Sequence, residues 1–177
     1  MFTIDRESSV LLIVDFQLKL MPAIHEGAAA IANAKRLIET AKLLDVPTLF
    51  TEQNAKGLGS TVSELAPDDS ILMHKMYFDA CREPSFLRRL KDRRDVVVAG
   101  CEAHVCVQQT VLGLLHAGRQ VYVARDALGA RHPENKETAI RRMERHCAEI
   151  VTTEMVVFEW LATANHPRFR EAITLIK

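Results

Sequence analysis

The sequence has few of the residues that mark fibrous, disordered or disulfide-bonded proteins. Its 177 residues include only seven glycines, six prolines and four cysteines. These numbers exclude a collagen-like repeat, a low-complexity linker and a small disulfide scaffold. Since 48% of the residues are hydrophobic and 26% are charged, the composition is that of a globular protein. The length fits a single domain spanning residues 1–177.

An excess of charge of either sign is also missing. Twenty-three Lys and Arg residues balance twenty-three Asp and Glu residues, so no basic excess attracts nucleic acid or an anionic membrane. The longest apolar runs, such as residues 10–14, are far too short to span a bilayer, and the first residues do not resemble a signal peptide. We therefore expect a cytoplasmic protein that acts on a small molecule, with no nucleic-acid or membrane partner. A reducing compartment would keep its cysteines as thiols.

Short apolar runs rich in Val and Ile alternate with longer segments of helical periodicity, a rhythm typical of a parallel sheet covered on both faces. The predicted strands span residues 10–16, 47–52, 96–101, 121–126 and 149–153. Apolar stripes between them predict helices, and Gly118 occupies the place of a left-handed terminating residue. After residue 154 we expect two short helices that divide near residues 165–167. The sequence thus predicts an α/β protein with a mainly parallel sheet.

The segment 53–94 differs from the rest of the chain. It is polar, it contains Gly57 and Gly59, and Pro67 and Pro84 interrupt it. Because it is too long for a simple connection in a compact domain, we expect it to form a wall or lid of a site.

Two predicted strand ends carry reactive side chains. The first strand runs into Asp15, and the third is followed by Cys101 and, five residues later, by Cys106. Ligands of open parallel sheets bind beyond the carboxyl ends of the strands. In the first turn of a helix, backbone N–H groups would favour the thiolate of Cys106 and stabilise an oxyanion, with Asp15 as the nearest base. Taken singly, Asp15 also fits a turn residue, and either cysteine fits a small buried hydrophobe.

Other functional motifs are missing. The glycines at 57 and 59 lack the third glycine of a dinucleotide-binding loop, and neither a Gly-x-Ser-x-Gly nor a phosphate-binding loop occurs. Cys101, His104 and Cys106 lack the second ligand cluster of a zinc site. We therefore expect no metal and no cofactor.

Three segments resemble the isochorismatase-like cysteine hydrolases. They are residues 10–17, residues 74–78 around Lys75, and residues 97–110 around Cys106. The resemblance implies a three-layer α/β/α sandwich with catalytic Asp15, Lys75 and Cys106, in which the ammonium of Lys75 favours the thiolate. It also implies a cis peptide bond before Glu102, whose N–H would form an oxyanion hole with that of Cys106. Relatives commonly form dimers or larger oligomers, so we expect a homo-oligomer.

The expected reaction is hydrolysis of an amide or ureide C–N bond through a thioester, with Asp15 as base and acid. Phe16, Gln17, Tyr77 and Phe78 are the candidate substrate contacts, although Phe16 and Phe78 fit plain packing equally well. The ligand set of metal-dependent nicotinamidases is not visible after the second strand, which makes nicotinamide doubtful. Isochorismatase-type ether hydrolysis, a redox or binding protein that pairs Cys101 with Cys106, and a scaffold without catalysis remain alternatives.

Overall fold

A six-stranded sheet forms the centre of the molecule. The computed structural model describes residues 3–177. All strand pairings in the sheet are parallel, and the spatial order is β3-β2-β1-β4-β5-β6. The strands are β1 Ser9–Val14, β2 Thr48–Gln53, β3 Leu72–Lys75, β4 Asp95–Cys101, β5 Gln120–Gly129 and β6 Glu149–Val151.

Five of these strands confirm the sequence-based prediction, with ends that differ by at most three residues. The sixth, β3, lies inside the segment 53–94 and was not predicted. It contributes only four residues, Leu-Met-His-Lys, and none of them is β-branched. As an edge strand that pairs only with β2, it carries no continuous apolar run, which is the signal that identified the others.

Helices cover both faces of the sheet, which confirms the three-layer α/β/α sandwich. They are α1 Gly27–Leu43, α2 Ala55–Leu58, α3 Phe86–Arg89, α4 Gln108–His116, α5 Pro133–Arg145, α6 Thr153–Leu161 and α7 Phe169–Ile176. Residues of α1, α6 and α7 pack in one hydrophobic cluster, and residues of α3, α4 and α5 pack in another. Within residues 3–177 no helix has the length and apolar character needed to cross a membrane.

The two clusters follow from the alternation of side chains along each strand. In β1, Leu11 and Ile13 join the cluster with α1, whereas Leu12 and Val14 join the cluster with α4. Every residue of β1 and β4 is buried, as expected for central strands covered on both faces. Each fully buried aliphatic side chain stabilises the fold by about 1.5–3 kcal/mol relative to an exposed one.

At the carboxyl ends of β1 and β4, Gly100 pairs with Val14 and leaves no room for a side chain. A Cβ atom at Gly100 would lie 2.5 Å from the carbonyl oxygen of Val14, so only glycine fits there. The next residue after β1, Asp15, has a left-handed backbone with a φ of 53°. Its N–H donates to the carbonyl of Thr51 at 3.1 Å. This conformation ends β1 and fixes the backbone of Asp15 at the edge of the sheet.

Candidate active site

Two buried donors hold the carboxylate of Asp15. The hydroxyl of Thr51 donates to its Oδ1 at 2.7 Å, and the ammonium of Lys75 donates to its Oδ2 at 2.7 Å. The side chains of Asp15 and Lys75 are fully buried. Both carboxylate oxygens are therefore satisfied, and the rotamer of Asp15 is fixed.

Lys75 reaches Asp15 because β3 pairs with β2. Gln53, the last residue of β2, stands opposite Lys75 in the register. Its Oε1 accepts from the Lys75 ammonium at 2.9 Å, while its Nε2 donates to the carbonyl of Met76 at 2.8 Å. A buried ion pair needs such additional hydrogen bonds to offset the loss of solvation. Thr51 and Gln53 are residues of the candidate site that the sequence prediction missed.

Cys106 lies in a π-helical turn, Ala103–Val107, that connects β4 to α4. It therefore belongs to the first turn of a continuous helical segment, as predicted. The peptide bond between Cys101 and Glu102 is cis, which the family resemblance had implied. Cys106 and Asp15 line the same cavity, whose volume is about 370 Å³. The thiol, the carboxylate and the ammonium thus converge at the carboxyl edge of the sheet.

Opposing effects act on the pKa of the Cys106 thiol. Burial, the largest of them, and the negative charge of Asp15 together raise it to about 12, and Lys75 only partly opposes them. Lys75 is already paired with Asp15, so its charge acts on the thiol as one half of a nearly neutral pair. Lys75 thus lowers the pKa of the thiol, as the resemblance implies, but burial and Asp15 raise it more.

The cavity receives residues from four parts of the chain. Its walls are Asp15, Lys19, Leu20, Ala23, Gln53, Leu58, Phe78, Glu102, Val105, Cys106 and Arg131. Leu58 and Phe78 come from the segment 53–94, so this segment forms part of the wall, as expected. The apolar side chains outnumber the charged ones, which suits a small organic ligand held by a few polar groups.

The predicted substrate contacts divide into two groups. Phe78 lines the cavity and is half exposed, whereas Tyr77, also about half exposed, lies outside the lining. Phe16 is 1% exposed and packs in the hydrophobic core beside α1. The packing alternative therefore holds for Phe16, and Phe78 remains the aromatic residue placed to touch a ligand.

The side chain of Gln17 binds backbone groups inside the protein. It is completely buried, its Nε2 donates to the carbonyls of Gln53 and Gly59, and its Oε1 accepts from the N–H of Gln53 at 2.9 Å. These bonds tie the end of β1 to the end of β2 and to the turn after α2. Because both of its side-chain polar atoms are bound to backbone groups, they are not available to contact a substrate.

The two cysteines of the nucleophile segment point to opposite sides of the sheet. Cys101 packs in the cluster with α1, and Cys106 packs in the cluster with α4. Both are free thiols. Because a disulfide requires Cβ atoms about 4 Å apart, this placement argues against the redox alternative.

A comparison with known families matches residues 9–155 to the isochorismatase domain. Isochorismatase domain-containing protein 2A of Mus musculus is 36% identical over 174 residues, which cover 97% of this chain and 84% of that protein. The MAR1 ribonuclease structure from Caenorhabditis elegans superposes with a TM-score of 0.93 at 34% identity, covering 98% and 92% of the two chains. The octameric hydrolase YcaC of Escherichia coli, of unknown specificity, has a TM-score of 0.86 at 24% identity and covers 98% and 96%.

The parallel sheet and these matches place the protein in the class of isochorismatase-like α/β/α sandwich proteins. With a match over most of its length and relatives above 30% identity, the chain belongs to the isochorismatase family.

Proposed function

We propose that this protein is a cysteine hydrolase that cleaves the C–N bond of a small amide or ureide through a thioester intermediate. The observation that supports the proposal most strongly is the buried Lys75–Asp15 ion pair beside the thiol of Cys106. A carboxylate with a fixed position can accept the thiol proton, and a thiol that has lost its proton attacks carbonyl carbon.

In the first half of the reaction, the Cys106 sulfur forms a bond to the carbonyl carbon while its proton moves to Asp15. The resulting tetrahedral intermediate collapses when the C–N bond breaks and Asp15 returns that proton to the leaving nitrogen. Ammonia or an amine leaves, and the acyl group remains on sulfur. Since burial and Asp15 raise the pKa of the thiol, we propose that proton transfer accompanies the attack rather than preceding it.

In the second half, water attacks the thioester carbon and gives a proton to Asp15. The C–S bond then breaks, the proton passes to the sulfur, and a carboxylic acid leaves. Lys75 keeps Asp15 in place through both halves, since its ammonium donates to the carboxylate oxygen opposite the one bound by Thr51.

The oxyanion of each tetrahedral intermediate requires donors that point at the reacting carbon. We assign this role to the backbone N–H groups of Glu102 and Cys106. Support comes from their place at the start of the helical segment, where backbone N–H groups lack intrahelical partners. Removal of one such donor typically costs about 100-fold to 1000-fold in turnover.

Two features bear on the assembly of the protein. Leu18, Met76, Tyr77 and Phe78 are large apolar side chains that remain about half exposed or more, close to the cavity. The E. coli relative is octameric. We propose that this chain also forms a homo-oligomer. Light scattering tests this directly, and a monomer at micromolar concentration would contradict it.

A screen for ammonia released from small primary amides and ureides tests the proposed reaction, and hydroxamates are scored by released hydroxylamine. A vinyl ether, as the isochorismatase-type alternative, and a single-stranded RNA, because a relative is named a ribonuclease, are scored by chromatography of their cleavage products. The Cys106→Ala variant is the blank for every substrate. The proposal predicts ammonia release that depends on Cys106. Turnover confined to the ether or to RNA would contradict the C–N assignment.

A further inference from the structure

The charges of the side chains that line the cavity, counted together with that of Lys75, do not sum to zero. Four of its lining residues carry charge, namely Asp15, Lys19, Glu102 and Arg131. The charge of Asp15 is compensated by the ion pair with Lys75, which lies outside the cavity lining, and the charge of Glu102 is compensated by the ion pair with Arg131. Lys19 forms no ion pair within the described part of the chain. One positive charge therefore remains at the cavity.

Glu102 fixes the position of the Arg131 guanidinium. Its Oε2 accepts from both the backbone N–H and the side-chain Nε of Arg131, each at 3.0 Å. Burial disfavours the Glu102 carboxylate, but the hydrogen bonds and charge of Arg131 prevail and lower its pKa. The side chain of Glu102 is 8% exposed and that of Arg131 is 54% exposed. The Nε is thus bound, while the two Nη groups donate to no group among residues 3–177.

Lys19 has a fixed backbone and an exposed side chain. Its N–H donates to the carbonyl of Leu58 at 3.0 Å, and the N–H of Leu18 donates to that of Ser60 at 2.9 Å. These bonds attach the loop after β1 to the turn after α2, so that Lys19 lines the cavity together with Leu58. The ammonium of Lys19 and the two Nη groups of Arg131 therefore border the cavity that holds Cys106, and within residues 3–177 none of them donates a hydrogen bond.

We infer that Lys19 and Arg131 form an anion-recognition subsite, so that the preferred substrate carries a carboxylate in addition to the scissile carbonyl group. Glu102 is a positioning residue in this subsite, because it acts through Arg131. An amide without a negative charge would leave the extra positive charge unpaired. The inference deepens the proposed function, and it rests on that proposal only for the nature of the bond that is cleaved.

Selective alkylation tests the subsite without a known substrate. Iodoacetate and iodoacetamide deliver the same carbon to sulfur, and they differ in charge. A longer pair, N-(2-carboxyethyl)maleimide and N-ethylmaleimide, samples anions held farther from the thiol. Peptide mass spectrometry gives the anionic-to-neutral rate ratio at Cys106, and the exposed Cys147 supplies the reference ratio in the same sample.

For at least one probe pair, the ratio at Cys106 should exceed that at Cys147 by about fivefold, the size of an exposed charge interaction. Lys19→Gln and Arg131→Gln should each lower the ratio toward the reference value. Both Glu102→Ala and Glu102→Gln remove the carboxylate charge, but only glutamine retains an acceptor for Arg131; Glu102→Ala should therefore give a lower ratio than Glu102→Gln, which should not fall below the wild type. Lys56→Gln, at an exposed lysine outside the lining, is the matched control.

A ratio at Cys106 that equals the ratio at Cys147 for both probe pairs would overturn the inference. So would a high ratio that survives both cation substitutions. These results are independent of the ammonia-release screen. If the protein hydrolyses no amide but the ratio behaves as expected, the anion subsite holds and the proposed reaction fails.

Discussion

Replacing Lys75 by methionine removes the ammonium that compensates the buried carboxylate of Asp15. The two charged atoms are 2.7 Å apart, and neither side chain is exposed. Loss of one partner from a buried ion pair costs about 3–5 kcal/mol, mainly because the other charge is left without compensation. For a chain of this size we therefore expect a fall in Tm on the order of 10 °C. Turnover should fall by about 1000-fold, since the general base is no longer held.

A double-mutant cycle separates pairing from simple loss of packing. Asp15→Asn leaves the buried ammonium of Lys75 without a counter-charge and should also lower the free energy of unfolding by about 3–5 kcal/mol. The double variant Asp15→Asn/Lys75→Met contains no unpaired charge, so its free energy of unfolding should lie closer to that of the wild type than either single variant does. Urea denaturation of the four proteins measures these values. Single variants that each cost under about 1 kcal/mol, or costs that simply add in the double variant, would refute the reasoning.

Three further outcomes follow from the structure. Thr51→Val removes the hydroxyl that donates to Asp15 Oδ1 at 2.7 Å; it should cost about 1–3 kcal/mol in stability, measured by urea denaturation. Gly100→Ala places a Cβ atom 2.5 Å from the Val14 carbonyl oxygen and should lower the free energy of unfolding by about 2 kcal/mol or more. Gly118→Ala is the control for backbone strain alone, because a Cβ there meets no neighbour although φ is 78°. Because the pKa of Cys106 is raised to about 12, its thiolate fraction grows about tenfold per pH unit below that value; its alkylation rate should rise steadily between about pH 6 and pH 9, and a plateau near neutral pH would disagree.

Most of the sheet could be predicted from the sequence because its central strands are buried on both faces. Residues 10–14 and 96–101 are continuous apolar runs, and both emerge as strands with every residue buried. The short edge strand β3 has no such run, so Lys75 could be placed only through the family resemblance. Asp15 and Cys106 could be proposed from topology alone, since each follows a strand of the predicted parallel sheet.

The contacts within the site could not be predicted from the pattern. Gln17 and Gln53 are both polar residues at strand ends, yet one ties backbone segments together and the other binds the ammonium of Lys75. Which role each takes depends on the register of β2 against β3, which the sequence does not encode locally. The charge state of Cys106 likewise depends on burial and on the prior pairing of Lys75 with Asp15, and both are properties of the folded chain.

The central claim is that the sulfur of Cys106 bonds to the substrate's carbonyl carbon. Rapid acid quenching during turnover of the best amide, followed by peptide mass spectrometry, tests it directly. We predict that the acyl group of the substrate is found on Cys106 in the wild type, that it accumulates during the first turnover, and that it is absent from Cys106→Ala. An acyl group found on a different residue, or amide hydrolysis of undiminished rate in Cys106→Ala, would contradict the account.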